Sequence, residues 1–583
     1  MLDKFLAWSV TMAAKPEKCK TLVLHFQNPG VKKMRYQPLP GWGQGQYVPF
    51  DPELVIAGAP IAPIDKKVGC ERMFKFLGRL ISVTLKETEQ EKATLEKLNE
   101  MLEAIEARPL LGSQKLWLYE HKVVATLSWP LMSYDFTISS VRVLQAAAQR
   151  FHKKWAGLHA TATVELLYTG RSTVGLSLTN LVTKFEQLQV SKAHSLKYSE
   201  DPSIRKLSDA RGRAEQKDGK RTLKPTSKLG ATERAIELDQ MTNDGQKGRQ
   251  GVGFGESRRF VDPSSAEGRK GVTARMGRDA DEDRRRRCMG LPIQGEWTRW
   301  DQEMSQDMSW NRLLYDLSPK LTRYLMGSLG DSLASETNLR RWGYQKAAEC
   351  PLCKWKCCSM QHVLSACPIA LQQGRYTFRH DLVLKVIYEA VREAVDAMTP
   401  EQVQHNAPLH QQIRFVRAGE RCVSPPKAEV PLICQAADWK VIVDLNGKWQ
   451  GDGEGVPAHV VAHTLERPDI VMWSDTLRIV ILLELTVPTE TNVRAANARK
   501  KSRYGELASE IRRTTNQKGA GWKVEVLPVE VTVRGFLPGS AHHLLKVLGL
   551  PRKKRLKNNM SKMALRGSYV IWMNRENMSW QAK

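Results

Sequence analysis

Long apolar runs are missing from this 583-residue chain: none reaches the ~18–20 residues a membrane span needs. The most apolar stretch, "IVILLELTV" from Ile479 to Val487, is interrupted by Glu484 and reads as a buried strand. Cysteine is sparse outside one place. Of ten in the chain, Cys19, Cys70, Cys288, Cys422 and Cys434 are scattered singly, which is not the dense pattern of a secreted disulfide framework. The first residues have an apolar stretch, but it is short and amphipathic. Asp3 sits where a secretory signal carries positive charge, so secretion is not expected. Acidic residues are also short: 62 Asp plus Glu face 89 Lys plus Arg, a formal charge of +27. An excess of that size calls for a polyanionic partner, with nucleic acid the default. No basic amphipathic segment stands out as a membrane anchor, and nothing implies a small-molecule substrate.

Along the chain, "PEKCKTLVL" and "MFKFLGRLI" read as short strands, and 84–107 has helical composition and period. Helix continues through "SQKLWLYEHKVVATLSWPL", where Pro130 ends or kinks it. Val141, Leu144, Ala148, Phe151 and Trp155 then share one helix face, with Arg142, Arg150, Lys153 and Lys154 mostly off it. That basic side is either ordinary solvated surface or a phosphate-contacting face.

From about 196 to 290 the sequence is rich in charge and glycine and poor in aliphatics, the composition of a mobile linker with some helix. Its "GQKGRQGVGFGE" glycines neither follow a strand nor end in Gly-Lys-Ser/Thr, unlike a phosphate-binding loop. Order returns at "GEWTRWDQEMSQDMSWNRLLYDL", which suits a helical subdomain. Val383, Ile387, Ala390 and Ala394 mark the apolar face of a strong helix further on. From 436 to 550, strands alternate with one helix, as in a small α/β domain with a mixed sheet. The chain closes on "PRKKRLKNN" and a polar tail; such a run serves as a nuclear address or a nucleic-acid contact.

The remaining five cysteines lie in "CPLCKWKCCSMQHVLSACP", Cys350 to Pro368. Cys350, Cys353, His362 and Cys367 follow the order C-x2-C-x8-H-x4-C. Paired thiolates hold one side of a tetrahedral ion and the His/Cys pair supplies the other, a donor set that suits zinc. With all four positions filled by protein the ion would be structural. Cys357 and Cys358 are surplus, and either could replace Cys350 or Cys353.

In the last α/β domain, Asp469 of "RPDIVMW" begins a strand and Glu484 lies inside the next. The short "SDTL" turn makes the two a hairpin with the carboxylates side by side. Paired carboxylates are costly unless a cation neutralises them, and Mg²⁺ is the usual solution. This is a layout for phosphodiester cleavage. A lysine would stabilise the charged transition state, and the following helix offers Lys500 and Lys501.

The order of these pieces resembles the C-terminal portion of a non-LTR retrotransposon polyprotein of the branch with a restriction-like endonuclease. The most specific likenesses are the cysteine cluster with its "GRYTFRHD" sequel, which resembles the family's zinc knuckle, and the "RPDI…ELTVP" pair. "FKFLGRLI", "LYEHKVVATLSWPLMSYDF" and "FHKKWAGL" look like the end of a reverse-transcriptase palm and its thumb.

The resemblance implies a multidomain α+β and α/β chain. Its parts would be a partial palm (1–82), helical thumb (83–195), basic flexible linker (196–290), helical linker subdomain (291–349), zinc knuckle (350–368), helix and connector (369–435), restriction-endonuclease-like α/β domain (436–550) and basic polar tail (551–583). It assigns Cys350, Cys353, His362 and Cys367 to zinc, Asp469 and Glu484 to magnesium, and the catalytic lysine to Lys500 or Lys501. Thr486 stands where simpler restriction-type nucleases carry that lysine. The implied function is target-primed reverse transcription in the nucleus, with target DNA and element RNA as partners. No Asp-Asp pair occurs in the chain, so the polymerase's acidic motif is lacking and polymerase activity is not expected. The rival expectation is a catalytically inactive, zinc-containing DNA/RNA-binding protein.

Overall fold

The computed structural model describes residues 87–160, 162–169, 176–217, 223–249, 262–291, 317–406, 430–452, 466–517, 519 and 521–580, together with four short strands before them. Those strands form two antiparallel pairs: β1 (Val55–Ile56) with β2 (Ala59–Pro60), and β3 (Met73–Phe76) with β4 (Arg79–Ser82). The expected "PEKCKTLVL" strand and most of the "GEWTRW…" segment lie outside the described residues. The fold is mixed α and β, largely helical, and divides into two compact units: 1–107, 119–148 and 180–277; then 108–118, 149–179 and 278–583. Among the described residues no helix is long and apolar enough to cross a membrane.

In the first unit, helix α1 (Thr88–Glu106) buries Gln90, Thr94, Leu98, Leu102 and Ile105, spaced three or four apart along one face. Pro130 lies inside the helix Val124–Ser133 without breaking it; the chain turns extended only at Tyr134. Helix α2 (Ile138–Ala156) follows, its residues up to Ala148 belonging to this unit. Helix α3 (Leu181–Lys197) starts where the Asn180 side chain accepts the N–H groups of Val182 and Thr183. The buried Gln189 amide donates to the carbonyls of Leu131 (2.9 Å) and Tyr134 (2.7 Å), satisfying a chain bend that no regular ladder reaches.

The region expected as a flexible linker holds three helices, Pro202–Lys217, Pro225–Arg249 and Ala266–Met289. Leu229, Val272 and Met276 pack with Val190 and Ala193 of α3 in one buried cluster. Few apolar residues suffice because Val272 and Met276 are one turn apart and fall on the same side. Ion pairs Lys228–Glu186 (2.6 Å) and Lys197–Glu233 (2.5 Å) join the same helices.

The second unit is built on a five-stranded mixed sheet of order β6-β5-β7-β8-β9: β5 Lys440–Leu445, β6 Lys448–Gly451, β7 Ile470–Ser474, β8 Ile479–Thr486 and β9 Lys523–Glu530. Neighbours are antiparallel except β8 and β9, which are parallel and joined by helix α5 (Val493–Gln517). The β5–β6 hairpin turns at Asn446-Gly447, whose φ values of 53° and 72° are the left-handed pair a tight two-residue turn requires. Ile442, Val471, Trp473, Val480 and Leu482 pack on one face against Tyr504, Leu507 and Ile511 of α5.

Helix α4 (Arg375–Asp396) buries Val383, Leu384, Ile387 and Val391, and Ala394 of the expected apolar face is buried with them. Its start is set by Gly374, at φ 69°. Residues 551–583, expected as a polar tail, contain helix α6 (Lys553–Met573), which packs on α4. The two helices touch closely at Gly567, where a Cβ would come within 2.7 Å of the Arg379 side chain.

One buried histidine predicts a pH dependence of stability. His152 is fully buried, with Nδ1 3.0 Å from the Tyr168 hydroxyl, and burial pushes its pKa down to about 3. The folded ring stays neutral while the unfolded ring takes up a proton near 6.5. Stability is therefore intact above pH 6.5 and is lost as pH falls toward 3, by about 2 kcal/mol between pH 7 and pH 5. Urea denaturation of the wild type and of His152→Gln across that range should show this component in the wild type alone.

Candidate metal centre and carboxylate site

The Cys350–Pro368 segment brings four donor atoms together. Those of Cys350, Cys353, His362 and Cys367 all lie within 4.8 Å of one another. Cys350 Sγ is 4.0 Å from Cys367 Sγ, and Cys353 Sγ is 3.2 Å from His362 Nε2. Tetrahedral zinc with ordinary bond lengths would need about 3.8 Å and 3.6 Å for such pairs, so the cluster fits a metal ion such as zinc.

Local backbone explains the convergence. Lys354 takes the left-handed region (φ 60°) while its N–H returns to Cys350 O (2.9 Å), and Cys350 N–H donates to Trp355 O (2.8 Å). His362 begins a single π turn, His362–Ala366, and Cys367 stands at the N-terminus of the short helix Pro368–Gln372. The Tyr376 hydroxyl accepts the Cys367 N–H (3.0 Å) and donates to Val363 O (3.1 Å).

The electrostatics also favour a cation. Burial opposes ionisation of Cys350, yet the N–H groups of Cys353 and Leu352 and neighbouring thiols hold it below its ordinary value. Burial, with the Cys350 charge beside it, pushes Cys367 up to about 11. Burial keeps His362 below its ordinary value and hence neutral, the form that ligates. Neither surplus thiol belongs to the four-donor group: Cys357 is exposed near Thr337, and Cys358 is buried beside Cys350, its pKa pushed far up chiefly by burial.

Helix α4 runs directly from this cluster to the sheet. Arg375 is fully buried and donates to the carbonyls of Asn574 (2.5 Å) and Asn577 and to Gln373 Oε1 (2.7 Å). One turn on, Arg379 donates to Leu364 O of the cysteine segment (2.9 Å), Ser568 Oγ of α6 (3.3 Å) and Val487 O at the end of β8 (3.2 Å). Burial pulls the Arg379 guanidinium down to about 10, so it remains charged at neutral pH. The next two residues of α4, His380 and Asp381, reach the carboxylates.

Ile470 pairs with Leu483, so Asp469 stands opposite Glu484 across the β7–β8 hairpin. Asp469 N–H donates to Glu484 Oε2 (3.1 Å), and Asp469 Oδ2 accepts the Leu485 N–H (2.6 Å). Glu484 lies on the face of β8 that looks toward α5, where the Lys500 ammonium pairs with its Oε1. Lys501 is exposed. Of the two candidate lysines, only Lys500 is brought to the carboxylates. The Thr486 hydroxyl oxygen is buried without a hydrogen-bond partner among the described residues.

Three further groups complete the cluster. His380 Nε2 lies 3.1 Å from Asp469 Oδ2, and Nδ1 lies 3.0 Å from Asp381 Oδ1. Asp444 of β5 sits beside Asp469, donating its N–H to Asp469 O (2.9 Å); its Oδ2 takes the Arg467 guanidinium (2.9 Å). Asp444 Oδ1 is buried and has no partner among the described residues.

Burial and the crowding of like charge both shift the pKa values here. Burial, then the neighbouring Asp469, pushes Glu484 up to about 7. Burial is also the main cause raising Asp444, reinforced by Asp469 and Asp381. Desolvation works against charge on His380, but the two flanking carboxylates outweigh it and push its pKa up to about 10. The cluster thus gathers Asp444, Asp469 and Glu484 around Lys500 and His380, with one buried carboxylate oxygen left without a partner among the described residues. Sequence reasoning missed Asp444, Arg467, His380 and Asp381, although the last two end the "GRYTFRHD" stretch singled out beside the cysteines.

On α2, Arg142, Arg150 and Lys154 are exposed, while Lys153 is half-buried and donates to Ala160 O; burial lowers its pKa. No known protein-family profile matches the chain, and no curated protein is significantly similar to it.

Proposed function

We propose that this chain is a nucleic-acid-binding fragment of a retrotransposon-type polyprotein whose sheet domain nicks DNA in the nucleus to prime reverse transcription of element RNA. The observation carrying this reading is the cross-strand pair Asp469–Glu484 with the Lys500 ammonium against it. Asp469 and Glu484 would hold Mg²⁺, with Asp444 adjacent. When bound, that ion would polarise the scissile phosphate and lower the pKa of an attacking water. Lys500 supplies fixed positive charge for the charge that develops on the phosphate. His380 and the Leu485 N–H fix the orientation of Asp469. The +27 charge supports a polyanionic substrate. The Cys350/Cys353/His362/Cys367 centre would hold structural zinc and brace the helix that carries His380.

The test is conversion of supercoiled plasmid to nicked circles during Mg²⁺ titration, wild type against Asp469→Ala. Metal-dependent nicking confined to the wild type is expected. Equal activity in both proteins removes the assignment to this site. Mg²⁺-independent, salt-sensitive binding without any cleavage favours the inactive binding protein instead.

A further inference from the structure

The N-terminal end of α6 carries a concentration of positive charge that the carboxylate site does not use. Lys553, Lys554, Arg555, Asn558 and Lys562 line an open, shallow depression on the helix surface. The helix turns Leu556, Met560 and Ala564 inward, so burial of its apolar side leaves the cations facing outward. Among the described residues, no carboxylate lies within ion-pair distance of Lys553, Lys554, Arg555 or Lys562. Arg552 pairs with Glu393 of α4 at 3.3 Å. Cations crowded at a helix N-terminus oppose the helix dipole as well as one another. The cap residue Arg552 offers the first turn no side-chain acceptor, leaving N–H groups there for an outside one. Each of these features is relieved by an anion, and their spread over several turns fits a row of phosphates better than a single ion.

Position strengthens the argument. Helices α4 and α6 run antiparallel, with Arg379 meeting Ser568 at one end and Glu393 meeting Arg552 at the other. Glu393 lies thirteen residues along α4 from His380, about 20 Å at the helical rise. That distance is about six base-pair steps of duplex DNA. We propose that the N-terminal end of α6 docks the phosphate backbone of double-stranded DNA several base pairs from the carboxylate cluster. The choice of DNA rests on the reading that this cluster acts on DNA.

The experiment is fluorescence anisotropy with a labelled duplex and the full zinc-loaded chain, without Mg²⁺, over a range of salt. The wild type is compared with Lys553→Gln/Lys554→Gln/Arg555→Gln/Lys562→Gln. Binding by the variant should weaken at least tenfold at low salt, and the slope of log K against log salt should become shallower by about 3 to 4. If that variant loses helicity by circular dichroism, the pair Lys554→Gln/Arg555→Gln is used, with a slope change of about 2. An unchanged slope in a folded variant overturns the docking site. A greater loss for duplex RNA or for phosphatidylserine vesicles than for duplex DNA overturns the DNA assignment. Because binding is read without Mg²⁺, a shallower slope in a protein that never nicks upholds the dock while removing the nuclease reading.

Discussion

Zinc analysis of the purified chain is expected to return one equivalent, and chelation is expected to lower its thermal transition by roughly 10 °C or more. Structural zinc sites contribute on the order of 10–16 kcal/mol of apparent binding energy, and here three thiols and an imidazole share one small volume. Without the ion, nothing binds the three thiols and the imidazole together in this partly buried site. The π turn at His362 and the Leu364 carbonyl that receives Arg379 lose their anchor. Cys367→Ser should lose most of the zinc. Cys357→Ser should keep a full equivalent, because its exposed thiol lies outside the donor group. A chain that carries no zinc and melts identically with and without chelator refutes the centre.

The second large effect concerns the two neighbouring lysines. Lys500→Ala is expected to slow nicking by about 10²–10³-fold, the usual cost of removing a fixed electrostatic stabiliser. Lys501→Ala should change the rate less than threefold, within the ordinary range for a solvated side chain. Single-turnover nicking at saturating plasmid separates the two from effects on DNA binding. Equal losses from both substitutions would mean that the lysines act through general charge rather than through contact with Glu484.

Much of the sheet was legible because its signals are local. The "SDTL" turn between two apolar runs gives the β7–β8 hairpin, and hairpin register then places Asp469 opposite Glu484. The choice between Lys500 and Lys501 was left open, yet the phase of α5 carried it. Ala496 and Tyr504 are both buried, and Lys500 stands midway between them on the same side of the helix.

Asp444 was harder, since the β5–β7 pairing crosses a long connection and no short turn fixes its register. His380 was hidden for another reason. The buried face of α4 begins with Arg375 and Arg379, which hydropathy reads as solvated surface; their burial is made possible by carbonyls of residues as distant as Asn574 and Asn577. Composition allowed some helix between 196 and 290 but did not reveal its packing, because only isolated residues such as Leu229, Val272 and Met276 reach a core.

The Arg379 side chain has a consequence for how this protein can be divided. Its guanidinium is shared by the cysteine segment, by the end of β8 and by α6, three stretches separated in sequence by 123 and 81 residues. A boundary drawn at 436 from sequence would leave the sheet and its two acidic strands intact on paper. It would also remove the histidine that steadies Asp469 and the cation that ties down Val487. The minimal heritable piece that keeps this site whole therefore begins no later than the first cysteine of the cluster and extends through the last helix. Recombination or truncation within that interval would separate residues that are useful only together.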